Sequence, residues 1–151
     1  MTPALRHVCD IEVSVGPIRD LGVAPYGRRR IIPIFSGMVT GSRLSGEVVP
    51  GGADWQYVHS DGVLDLEAKY SITTADGVEI AVTNRGIRRA APEVMDRLSR
   101  GEAVDPALVY FRTVPVFEAP EGPYAWLNQS IFVGSAARHP DKVQITVFEV
   151  L

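Results

Sequence analysis

A single cysteine, Cys9, stands in the 151 residues, so no internal disulfide can form and no cysteine cluster can hold zinc. Long apolar runs are missing too. No stretch approaches the ~20 residues of a membrane-spanning helix, and the N-terminus carries no secretory apolar segment. The chain reads as soluble and cytoplasmic, with no membrane partner. Nor is there a basic excess: 15 Lys+Arg against 18 Asp+Glu leave a net charge of -3, whereas nucleic-acid binding draws on a basic surface. Arg28-Arg29-Arg30 is the only basic run and reads as a strand entrance with solvated ends. His7, His59 and His139 are scattered, so spacing marks none of them as a metal ligand. No GxGxxG leading into a helix, phosphate loop or G-x-S-x-G is present. Metal, cofactor and nucleic acid are therefore not expected.

What is present is a period of two. Segments near 5–15, 28–40, 44–49, 53–59, 63–74, 78–86, 107–117, 124–134 and 142–150 read as strands with turn residues between them. On the first, Leu5, His7, Cys9, Ile11, Val13 and Val15 share one face, which predicts a core role for both His7 and Cys9. One segment breaks the rule. Ala91 to Leu98 has a proline near its start, apolar residues at helical spacing and Gly101 as a stop, so it predicts a short helix near 92–99. Many regular strands with so little helix point to one all-β domain, a closed antiparallel barrel of about eight strands. A sandwich is the alternative.

The hairpin around Thr74-Ala75-Asp76-Gly77-Val78 can be registered by hand. A two-residue loop would pair polar Thr73 with Ile80 and mix the faces. A three-residue loop with Gly77 at positive φ pairs Ile72 with Ile80, Tyr70 with Val82 and Ala68 with Asn84. It also sets Glu67 opposite Arg85, as complementary charges should be. A one-residue slip would invert every side chain, so the three-residue loop is predicted. Asn84 then sits on the apolar face, where it must hydrogen-bond either nearby backbone or something held inside the barrel.

Other residues suggest a cavity. In Val48-Val49-Pro50-Gly51-Gly52-Ala53-Asp54-Trp55 a sharp corner precedes an acid and an indole. A corner or bulge at the barrel rim would re-aim Asp54 and Trp55 so that at least one enters the interior. The alternative for Asp54 is a turn cap. Tyr110 with Arg112, and Tyr124 with Trp126 and Asn128, alternate on two further segments expected to be strands. Together these resemble an apolar-walled site with a few convergent polar groups. The chemistry left open is cofactor-free proton transfer: Asp54 or Glu67 as base, Arg112 or an amide such as Asn128 stabilising an oxyanion. Trp55, Tyr70, Asn84, Tyr124 and Trp126 would hold the ligand.

Arg30-Ile31-Ile32-Pro33, Pro50-Gly51-Gly52-Ala53-Asp54-Trp55, Thr74-Ala75-Asp76-Gly77, Tyr110-Phe111-Arg112-Thr113 and Tyr124-Ala125-Trp126-Leu127-Asn128, in that order, resemble the family called domain of unknown function 3237. The resemblance spans nearly the whole chain. It implies a compact antiparallel barrel similar in architecture to allene oxide cyclase, and it implies recurring polar positions at Asp54, Glu67, Arg112 and Asn128, with Trp55 and Trp126. It implies no activity. An inward apolar face leaves Glu67 outside with Arg85, while a pocket role for Glu67 needs the polar face inward. Three functions follow: a cofactor-independent lyase, isomerase or cyclase acting on a small hydrophobic or aromatic molecule, a ligand-binding carrier or sensor, or a homo-oligomerising structural barrel with a filled interior.

Overall fold

The computed structural model describes residues 1–151. Its strands are β1 (Leu5–Val15), β2 (Arg19–Ala24), β3 (Gly27–Thr40), β4 (Gly46–Val58), β5 (Leu64–Thr74), β6 (Glu79–Arg89), β7 (Tyr110–Glu118), β8 (Ile131–Arg138) and β9 (Lys142–Val150). All pairings are antiparallel, in the order β1-β9-β8-β7-β6-β5-β4-β3, and β1 returns to β3 to close the ring. Eight strands thus form a closed barrel. The C-terminal half of β3 pairs with β1 and its N-terminal half with β2, so β2 continues the wall where β1 ends. Closure removes the free edges of the ring that would otherwise recruit other chains, and only β2, paired to β3 alone, keeps an open side. The seam between β7 and β8 is narrow, with only Arg112–Ser135 and Thr113–Gly134 in register.

The alternation sets the interior. On β7, Phe111, Thr113, Pro115 and Phe117 are buried, while Tyr110, Arg112, Val114, Val116 and Glu118 are exposed. Eighteen buried residues, among them Val8, Ile11, Leu44, Ile72, Ile80, Phe117, Leu127 and Phe132, fill one end of the barrel. A smaller cluster of Leu64, Leu66 and Phe111 lies toward the other end, with Met95 of the helix against it. That helix, α1 (Pro92–Ser99), starts on a proline whose missing N–H has no partner to lose, and it buries Val94 and Leu98.

The 5–6 hairpin has the predicted register: Ile72 faces Ile80, Ala68 faces Asn84, and Glu67 faces Arg85. Gly77 takes φ 88° and donates its N–H to the Thr74 carbonyl at 2.9 Å. Four expectations are corrected. First, β2 was not expected. Second, 44–49 and 53–59 are one strand, β4, interrupted by a bulge: Val49 pairs with Ser71 and Ala53 with Lys69, leaving surplus residues around Pro50-Gly51-Gly52. Third, Ala125–Gln129 is a 3-10 turn rather than strand, so β8 starts only at Ile131. Fourth, the register of β1 slips between His7 and Cys9. Val8 and Cys9 are both buried while His7 is exposed, its Nε2 3.1 Å from Asp10 Oδ2.

Candidate active site in the barrel lumen

The bulge at Pro50-Gly51-Gly52 aims the next side chains. Gly51 has φ 110°, and a Cβ on Gly52 would lie 2.5 Å from the Lys69 carbonyl oxygen and 2.7 Å from Tyr70 Cβ. Only glycine lets β4 press this close to β5 and then resume alternation. Downstream, Asp54 and Gln56 face the lumen. Trp55 faces out, 42% exposed, beneath the Arg29 guanidinium at 5.1 Å.

Between the two apolar clusters lies a cavity of about 50 Å³. Val13, Val15, Ile32, Ile34, Leu66 and Ile145 supply apolar wall, and Asp54, Gln56, Tyr70, Asn84, Arg88, Thr113 and Arg138 supply polar groups. Buried polar atoms are nearly always hydrogen-bonded, because leaving one unmade costs about 1–3 kcal/mol. Six shielded side-chain atoms in this protein have no partner: Asp54 Oδ1, Tyr70 Oη, Asn84 Oδ1, Arg88 Nε, Thr113 Oγ1 and Arg138 Nη1. All six belong to residues lining this one cavity. Random packing defects would be scattered. Their convergence on one space makes the lumen the candidate site.

One chain of bonds inside the lumen is complete. Arg30 donates through Nε and Nη2 to Gln56 Oε1 at 3.2 and 2.7 Å, and Gln56 Nε2 donates to Asp54 Oδ2 at 2.7 Å. Arg30 thereby fixes the Gln56 amide, and Gln56 fixes the carboxylate, with Oδ1 left open. Burial raises the Asp54 pKa above its ordinary value, and the Gln56 hydrogen bond with Arg88, Arg30 and Arg138 offsets that only in part. The same burial raises the Tyr70 phenol, which stays protonated.

Of the residues singled out from sequence, the fold gathers Asp54, Tyr70 and Asn84. Asn84 Oδ1 makes no bond to the nearby backbone and lies open to the lumen. The others lie elsewhere. Glu67 is on the outer face, 3.3 Å from Arg85 Nε and 3.5 Å from Lys69 Nζ. Arg112 is also outside, donating to the Phe111 carbonyl at 2.9 Å. Asn128 clamps the segment before the 3-10 turn, accepting from Ala119 N and donating to Ala119 O, each at 2.8 Å. Tyr124 donates its hydroxyl to Asp76 Oδ1 at 2.7 Å, and the Trp126 ring lies 3.7 Å from the Arg43 guanidinium carbon.

Sequence reasoning missed Gln56, Arg88, Thr113, Arg138 and Arg30. Arg88 lay two steps beyond Gly86 and four beyond Asn84 on a face already identified as inward. Arg30, read as a solvated end, is 6% exposed. For Thr113 and Arg138 the sequence held no usable signal, because the register of β7 and β8 depends on the irregular connection between them.

A family model described as "Protein of unknown function (DUF3237)" matches residues 3–150. A UPF0311 protein of Bradyrhizobium diazoefficiens is 48% identical over 153 residues, covering 100% of both chains. The crystal structure of a conserved protein of unknown function from Rhodopseudomonas palustris superposes with a TM-score of 0.97 at 46% identity, covering 100% of this chain and 99% of that one. A structure described as an enzyme from Penicillium herquei has the same fold, with a TM-score of 0.75 at 19% identity over 100% of this chain and 96% of that one.

Proposed function

The chain belongs to the DUF3237 family, and from that footing we propose that it is a cofactor-independent acid–base catalyst, an isomerase, lyase or cyclase of a small molecule seated in the lumen. The observation behind this reading is the convergence of six stranded polar atoms on one apolar-walled cavity, one of them the free Oδ1 of the Asp54 carboxylate. Asp54 is the base. Its Oδ1 accepts a proton from a carbon or hydroxyl of the substrate, while Gln56 and Arg30 position the group. A carboxyl with a raised pKa is a stronger base than an ordinary one and gives the proton back readily at neutral pH. Tyr70 and Thr113 can each donate a hydroxyl hydrogen to the oxygen on which negative charge develops, and Asn84 Oδ1 accepts from a donor on the substrate. An apolar substrate body suits Val13, Ile34 and Ile145.

A carrier would have its carboxylates paired or exposed, and a filled structural barrel would satisfy its own polar atoms. Asp54 does neither, which favours catalysis over both. The Penicillium herquei protein lends only the fold, since 19% identity carries no residue role. The test is proton exchange. Small C–H acids, 2-oxobutyrate and 2-butanone among them, are incubated with the protein in D2O and followed by NMR. The wild type should exchange at least one of them faster than buffer, and a folded Asp54→Asn should not. Equal exchange by the two proteins would sink Asp54 as the base.

A further inference from the structure

The neutral hydrogen-bonding groups of the lumen suit many ligands, but its fixed charges do not. Arg88 is 4% exposed and lines the cavity, with Nε unpartnered. Arg138 presents an unpartnered Nη1 to the same space. Arg30 spends its donors on the neutral Gln56 oxygen. None of the three has a carboxylate within 4.0 Å, although surface arginines such as Arg6, Arg28 and Arg43 do. Asp54, the one acid among them, gives Oδ2 to Gln56 and does not reach a guanidinium.

Three guanidinium groups therefore surround one carboxylate. Burial and the charges of Arg30 and Arg138 hold Arg88 down at about 10, which still leaves it protonated at neutral pH. A buried charge without a counter-charge is costly and persists where a partner offsets it. The fork of a guanidinium matches the two oxygens of a carboxylate in plane and spacing.

We propose that the occupant of the lumen is a small carboxylic acid bound as its anion, with the carboxylate between Arg88 and Arg138 and its hydrocarbon part against the valine and isoleucine wall. This rests on the lumen being the site, and it adds the substrate class. Size narrows it further. A cavity of about 50 Å³ takes about three to five water-sized units at roughly 10–15 Å³ each, which limits the occupant to a short acid of about four carbons. Arg88 also lines a groove beneath α1 with Arg28, Arg30 and Met95, rimmed by Asp61 and Asp96. Groove and lumen meet at Arg88, which lines both.

Butyrate and its neutral isostere butyramide test the assignment on the full chain, by titration calorimetry and by thermal shift. Butyrate should bind and raise the melting temperature with concentration, and butyramide should not at the same concentrations. Arg88→Gln and Arg138→Gln should each weaken butyrate at least tenfold. Asp54→Asn should bind it as well as the wild type or better, because a like charge is gone. Equal response to both probes, response to neither, or undiminished butyrate binding in folded arginine variants overturns the proposal. Should Arg88→Gln not fold, Arg138→Gln and the wild-type contrast between the probes decide alone. Proton transfer by Asp54 is read separately: butyrate binding without proton exchange on any C–H acid leaves this assignment standing and removes that one, whereas exchange on the neutral ketone with no preference for the anion does the reverse.

Discussion

At the scale of single residues, Asp54 is where chemistry and stability pull apart. Its carboxyl is harder to ionise in the folded protein than the ordinary 3.8, chiefly because it is buried. Such a group favours the fold while protonated. That contribution is whole below about pH 3.8, and it is lost as pH rises through the raised value. Asp54→Asn is neutral throughout, so it should melt higher than the wild type at pH 7, with the gap closing toward pH 4. Melting curves from pH 4 to 8 check this. Had Asp54 capped the Pro50-Gly51-Gly52 corner, the same change would lower stability by about 0.5–2 kcal/mol, the range of lost caps. The bonds already favour the first outcome, since Oδ2 goes to Gln56 and Oδ1 to nothing. A variant that melts higher and no longer exchanges protons is a signature that no turn anchor produces.

At the scale of elements, two glycines separate backbone strain from crowding. Gly77 sits at φ 88° in the 5–6 hairpin, and a Cβ there would meet nothing within 4 Å. Gly77→Ala should therefore cost about 1 kcal/mol or slightly more, through the left-handed conformation alone. An unchanged denaturant midpoint would count against the loop. Gly52 is the reverse case, without positive φ but with Lys69 O and Tyr70 Cβ in the way. Gly52→Ala must part β4 from β5 next to Tyr70, so it should lower the melting temperature and weaken lumen binding together. Loss of stability with full butyrate affinity would show that the bulge does not set the lumen wall.

These elements also show what could be read in advance. The 5–6 hairpin was legible because its partners are adjacent in sequence and only one register keeps apolar residues on one face. The bulge was legible because Pro-Gly-Gly cannot continue a ladder. Ala125–Gln129 was misread because Tyr124, Trp126 and Asn128 alternate by chance, and a 3-10 turn of five residues has no period long enough to contradict them. The candidate site was half legible. Asp54, Tyr70 and Asn84 lie on three strands whose mutual register follows locally, whereas Arg138 reaches the lumen from β8, placed only by closure of the whole ring.

Closure is a property of the whole molecule, and one carboxylate ties it. Glu149, buried near the end of β9, accepts from Arg6 Nη2 of β1 at 2.7 Å, from Arg43 Nη1 in the β3–β4 connection at 2.6 Å, and from Ser130 Oγ ahead of β8 at 2.7 Å. The last strand is thereby bound to the first, to its neighbour, and to a loop two strands away. The Ser130 bond and the two arginines pull the Glu149 pKa down to about 2. A depressed carboxyl stabilises the fold when ionised. Its contribution is present above the ordinary 4.5 and is lost as pH falls from there toward 2. Glu149→Gln should thus melt below the wild type at pH 7, and the deficit should shrink below pH 4.5. The residue lines no part of the cavity. At temperatures where the variant is still folded, butyrate should therefore bind it as it binds the wild type. A Glu149→Gln protein that lost butyrate while remaining folded would mean that barrel closure and lumen geometry are coupled, and that the arginines of the lumen are held in place by the ring as a whole rather than by their own strands.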